Sequence, residues 1–110
     1  MHQKMLLKGS TKTLLLAMLS QEPMYGYRLV KEMKNRSSGY FLFKEGTLYP
    51  ALHRLEKEGL VSGEWNQTPG GQQRRYYFIT DRGRHALSYM LEEWQEFSRA
   101  VNLVARPRLL

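Results

Sequence analysis

Residues Lys44 to Val61 carry one short amphipathic helix between a start signal and a stop signal. Leu48, Leu52 and Leu55 recur at i, i+4 and i+7 and so share a face. Tyr49, Pro50, His53, Arg54 and Lys57 fall on the other side. Thr47 is the expected N-cap and Gly59 the expected C′ residue. With that cap, Pro50 lies in the first turn, where its missing N–H is tolerated. The helix thus has a leucine edge to bury and an opposite edge of hydrogen-bonding and cationic groups. A groove-reading helix needs this, and many surface helices look the same.

The segments around it restrict the reading further. Ser10 or Thr11 can cap a first helix ending near Leu19, with Leu14, Leu15, Met18 and Leu19 as its buried stripe. Gln21-Glu22-Pro23 breaks it. A second helix is expected from about Tyr25 to Asn35, with Gly26, Leu29, Val30 and Met33 on one side and Arg28, Lys31 and Lys34 on the other. Arg36 to Gly39 is turn chemistry. Tyr40 to Phe43 can pair as a strand or pack as a loop. After Gly59 the period becomes two-fold. Val61, Gly63 and Trp65 alternate with Ser62, Glu64 and Asn66, Thr68-Pro69-Gly70-Gly71 makes a turn, and Arg74 to Ile79 forms a second strand. Thr80 with Asp81 then opens a last helix to about Val104, roughly 24 residues or 36 Å at 1.5 Å per residue.

Helix, helix, helix, hairpin, helix is the winged helix-turn-helix layout, so the expected fold is mainly α with a β-hairpin. Residues 1–80 would form the DNA-binding domain, and residues 81–110 a dimerisation helix with a frayed tail from Arg106. The third helix would enter the major groove and the wing would reach a flanking groove or backbone. Thr47, Tyr49, Pro50, His53, Arg54 and Lys57 make the groove face, with Lys44 and Tyr27 counted beside it. Arg54 can donate bidentately to guanine, and His53 or Thr47 can bond base or phosphate. Tyr49 suits a phosphate contact through its hydroxyl, or an aromatic half-buried against the second helix. Arg54 has its own alternative, an exposed charge or an ion pair with Glu58. Arg74 and Arg75 at the wing are read as phosphate neutralisers, against the alternative of solvated strand-end arginines.

Charge supports an anionic partner. The chain of 110 residues has net charge +7, with 42% hydrophobic and 12% aromatic residues. That length suits one domain with a real core, and the positive balance favours DNA, RNA or an acidic membrane surface. There is no cysteine, which excludes disulfides, thiol nucleophiles and cysteine-ligated zinc. The longest apolar run, Leu14 to Leu19, is far too short for a membrane span, and no secretory pattern precedes it, so a cytoplasmic location is expected. His2, His53 and His85 are scattered, and no Walker A, G-x-S-x-G or G-x-G-x-x-G motif occurs. Neither an enzyme, nor a metal site, nor a cofactor is expected.

The last helix carries a separate signal. Leu87, Met90, Trp94, Phe97, Val101 and Val104 are spaced 3, 4, 3, 4 and 3, a heptad seam. A small domain has little core to cover its far end, so the seam is read as a twofold dimer contact. The alternative is a helix folded back over the first helix of its own chain. Trp94, with Phe97, can also stack on a planar hydrophobic effector, although a seam tryptophan is more often core.

Gly46-Thr47-Leu48-Tyr49-Pro50, then Leu52, Arg54-Leu55-Glu56 and Gly59-Leu60, resembles the signature of PadR-type transcriptional regulators. Tyr25-Gly26-Tyr27 and Arg75 to Thr80 with Gly83 add to the resemblance, which spans about Lys8 to Trp94. The resemblance implies a homodimeric winged-helix repressor on a palindromic operator, with the helix of Thr47 to Lys57 in the groove and the last helix as the dimer contact. The stop near residue 110 matches the short branch of the family. Some short members bind flat hydrophobic drugs at the dimer centre against an aromatic comparable to Trp94. The wing, Gly70-Gly71-Gln72-Gln73-Arg74-Arg75, departs from the family in having fewer basic residues at its tip. The expected function is therefore a sequence-specific repressor released by a ligand or other signal. The rival is a small-molecule-binding or protein-interaction winged helix without an operator.

Overall fold

The computed structural model describes the backbone of residues 2–106 and the side chains of residues 10–106. Its elements are α1 (His2–Leu19), β1 (Met24–Tyr25), α2 (Gly26–Arg36), α3 (Glu45–Lys57), β2 (Val61–Gln67), β3 (Gln73–Ile79) and α4 (Asp81–Ala105). The strands form one antiparallel sheet in the order β1-β3-β2. The fold is the expected one, mainly α with a hairpin and a long last helix. The tail expected from Arg106 lies, after Arg106 itself, outside the described residues. Among the described residues no helix is long and apolar enough to cross a membrane.

Helix α1 runs straight through Ser10 and Thr11, so neither caps it, and Thr11 is buried instead. Its closing run is apolar on several sides because α2, α3, α4 and β3 all pack on it. Leu15, Leu16 and Leu19 are buried, with Leu14 and Ala17 half-buried beside them. Each fully buried leucine contributes about 1.5–3 kcal/mol relative to exposure, so this helix is the centre of the core. Leu29 and Met33 of α2, Leu48, Leu52 and Leu55 of α3, and Met24, Phe43 and Tyr77 complete it.

Helix α3 begins three residues earlier than Thr47 suggested. Lys44 is the N-cap, and its carbonyl accepts from the N–H groups of Thr47 and Leu48 at 3.0 and 2.9 Å. No side chain caps this end. Glu45 in the first turn and Arg54 and Lys57 in the last complement the helix dipole instead. Pro50 consequently lies in the second turn, and no donor at Pro50 reaches the Gly46 carbonyl. The other end is as expected. Gly59 has φ +76°, its N–H donates to Glu56, and Leu60 N–H donates to Leu55, a Schellman closure.

The short strand β1 was not legible in the sequence; Met24 and Tyr25 pair with Tyr77 and Tyr76 of β3. Tyr40 to Phe43 packs as a loop, with Phe43 buried and the Phe41 N–H donating to the Ser37 hydroxyl at 2.8 Å. Thr80 caps α4, accepting from Gly83 N–H at 3.0 Å while its hydroxyl donates to the Gly59 carbonyl at 2.7 Å. One threonine therefore ties the start of α4 to the exit of α3. Gly83 lets the two backbones meet: a Cβ there would lie 2.1 Å from the Leu60 carbonyl oxygen.

Candidate nucleic-acid interface

The buried leucine edge of α3 fixes its rotation, and so fixes which side chains face outward. Thr47, Pro50, His53, Arg54 and Lys57 are all exposed, as is Lys44 at the N-cap. Among the described residues, none of Lys44, His53, Arg54 or Lys57 has an ion-pair partner. The pairing of Arg54 with Glu58 is not made, because Glu58 accepts from Lys12 of α1 at 3.2 Å. Among the described residues the side-chain donors of this edge are therefore unspent.

Tyr49 is turned differently. Its ring lies over the start of α2, so close that a Cβ on Gly26 would be 2.5 Å from the Tyr49 hydroxyl oxygen. This is the placement against the second helix, with the side chain still 37% exposed. Gly26 is the residue that permits it. Tyr27, next along α2, is exposed, with Lys31 Nζ 5.6 Å from its ring centroid.

The two wing arginines separate. Strand alternation places Arg75 on the sheet face shared with Gly63 and Tyr77, and Arg74 on the other. Arg75 crosses over Gly63, where a Cβ would lie 2.6 Å from its Nε, and donates to Glu56 Oε2 of α3 at 2.8 Å. Its guanidinium carbon is 5.9 Å from the Tyr77 ring centroid. The hydrogen bond to Glu56 raises the Arg75 pKa above its ordinary value. Arg75, expected as a phosphate neutraliser, is engaged with Glu56 here and links the wing to α3. Arg74 is exposed, packs over Tyr25 at 5.7 Å and donates to Gln72 at 2.9 Å. The turn between the strands closes through Thr68 and Gly71 and carries no lysine or arginine.

Helix α4 divides its seam in two. Leu87 is buried in the core, and Met90 is half-buried with its Sδ accepting from Thr13 Oγ1 of α1 at 3.4 Å. These two residues dock α4 on its own chain, Leu87 within the core and Met90 still part-exposed. Trp94, Phe97, Val101 and Val104 continue the row exposed to solvent, from 43% at Val101 to 89% at Val104. Trp94 and Phe97 stack with centroids 6.4 Å apart and planes at 27°. Trp94 also edges an open groove with Ser98, Arg99, Asn102 and Arg106.

One aromatic of this surface was missed at the sequence level. Trp65 pairs with Arg75 and lies on the wing face that looks toward α3, yet it is 65% exposed. Its alternation with Val61 and Gly63 marked that face. Nothing local revealed that the core ends before reaching it.

The chain matches the model of the "Transcriptional regulator PadR-like family" over residues 15–89. It is 32% identical over 98 residues to a protein of Lysinibacillus sphaericus, covering 89% of this chain and 90% of that one. It is 45% identical over 56 residues to Transcriptional regulator Rv3488 of Mycobacterium tuberculosis, covering 51% of each. Among solved structures, a PadR-like transcriptional regulator from Bacillus cereus superposes with a TM-score of 0.86 at 34% identity, covering 94% of this chain and 99% of that one.

Proposed function

This chain belongs to the PadR-like family of transcriptional regulators, and from that premise we propose that it is a homodimeric repressor occupying a palindromic operator. The observation that carries the reading is the outward edge of α3, where Thr47, His53, Arg54 and Lys57 are exposed and, among the described residues, keep their side-chain donors unspent. Arg54 reads a guanine, and each good bidentate contact of that kind is worth about 1–3 kcal/mol of discrimination. Thr47 and Pro50 follow the groove floor, and Lys44, His53, Lys57 and Tyr27 meet its phosphates. Tyr49 supports the reading edge from behind. Arg74 supplies the wing's charge to the backbone.

The bare part of α4 is the dimer contact in this proposal: Trp94, Phe97, Val101 and Val104 are too large an apolar row to leave in water. A twofold pair would present two α3 helices to half-sites about 34 Å apart. Residues 1–80 then read DNA and residues 81–110 pair the subunits, with Leu87 and Met90 joining the two parts. A planar hydrophobic effector entering beside Trp94 and Phe97 would release DNA if it favoured a dimer with the wrong helix spacing. The site of action is the cytoplasm. The open groove beside Trp94 gives a specific reason to keep a second reading, a ligand-binding protein without an operator.

The deciding experiment is selection from a random duplex library, followed by titration of the enriched sequence at two salt concentrations. An enriched inverted repeat with steep salt dependence supports the operator reading. No enrichment, with planar dyes still quenching tryptophan fluorescence, supports the second.

A further inference from the structure

The sheet face of Met24, Tyr77 and Val61 is buried in the core. Four residues beyond Val61 along β2 the same face presents Trp65, with Arg75 as its cross-strand partner. There the wing stands off from the helices and leaves a cleft of about 280 Å³, walled by the start of α2, the side of α3 and the wing. Tyr27, Tyr49, His53, Trp65 and Arg74 line it, and no carboxylate does. Glu56, the acid of α3 nearest the wing, is taken up by Arg75. Glu64, paired with Tyr76, does not line it. An aromatic and cationic cleft free of acids fits a polyanion with apolar sugar or base surface.

The position of the cleft selects the polyanion. With α3 in a major groove and the wing over its flank, one sugar–phosphate strand must pass between them, along this cleft. We propose that Trp65 is a DNA-contact residue, packing its indole against a deoxyribose of that strand while Tyr27 and His53 donate to the phosphates on either side. This rests on the operator reading above. The contact is apolar and sees no base edge, so it strengthens binding to any duplex without releasing a counterion.

The test titrates wild type, Trp65→Ala and Trp65→Phe against the selected operator and a scrambled duplex at two salt concentrations. Protein carrying 5-fluorotryptophan is followed by fluorine NMR in parallel, with the Trp65 resonance assigned by its loss in Trp65→Phe. The expected result is binding about tenfold weaker to both duplexes for Trp65→Ala, with an unchanged salt slope. Trp65→Phe should restore most of the loss, and the Trp65 resonance should move on adding duplex. Thermal melts confirm that each variant is folded, as expected at an exposed site. Wild-type binding matched by Trp65→Ala, with an unmoved resonance, overturns this contact alone. A loss confined to the operator also overturns it, since it would make Trp65 a base reader. A wild type that binds no duplex removes the operator reading and this contact with it.

Discussion

Arg75 of the wing and Glu56 of the third helix meet at 2.8 Å, guanidinium to carboxylate, across the angle between the two elements proposed to face DNA. Both are only part-exposed, at 34% and 25%. The pair links the wing to α3 and engages one of the wing's two arginines. The next residue, Arg74, makes no ion pair among the described residues.

Neighbouring arginines should therefore behave differently. Arg74→Ala should weaken binding to all duplexes and flatten the salt dependence by about one counterion. Arg75→Ala should leave the slope unchanged and lower the thermal midpoint by a few degrees, as loss of about 1 kcal/mol does in a domain of this size. Equal slope changes for both variants would show that Arg75 leaves Glu56 to meet phosphate.

Arg54→Ala should cost about 1–3 kcal/mol of discrimination between operator and random DNA, with the fold intact, because its side chain is exposed and makes no ion pair among the described residues. Competitive titration measures this directly. Unchanged discrimination would take Arg54 off the reading edge.

Gly83→Ala should be among the most damaging single-methyl changes in the chain. Its Cβ would lie 2.1 Å from the Leu60 carbonyl oxygen, a backbone atom that cannot swing aside. About 3 kcal/mol or more of stability should be lost, at the upper end for overpacking. Chemical denaturation gives the value, and a loss below about 1 kcal/mol would mean that α4 shifts freely against the α3–β2 junction.

Val101→Asp should give monomers in sedimentation, because an aspartate on the exposed row of α4 cannot be buried unpaired between subunits. Leu87→Ala should instead lower the stability of each subunit by about 2–5 kcal/mol, as its side chain belongs to the core. Persistent dimers in Val101→Asp would move the interface to another surface.

Local chemistry was readable in the sequence because it is complete within a few neighbours. The leucine edge of α3 follows from spacing, Gly59 from the positive φ that ends the helix, and Thr80 from its hydroxyl reaching Gly83. The hairpin follows from alternation around Thr68 to Gly71. The start of α3 escaped, since Lys44 caps with its carbonyl alone and Thr47 offered a stronger side-chain signal. What the tertiary structure alone decided depends on partners distant in the chain. β1 has two residues, too few for a period, and exists because Tyr76 and Tyr77 lie alongside. The fate of Arg75 depended on Glu56 standing opposite it, which no reading of the wing by itself contains. The heptad seam of α4 looked uniform from Leu87 to Val104, yet among the described residues α1 covers only its beginning. Spacing states that residues share a face; how far a neighbouring element extends along that face decides which of them reach water.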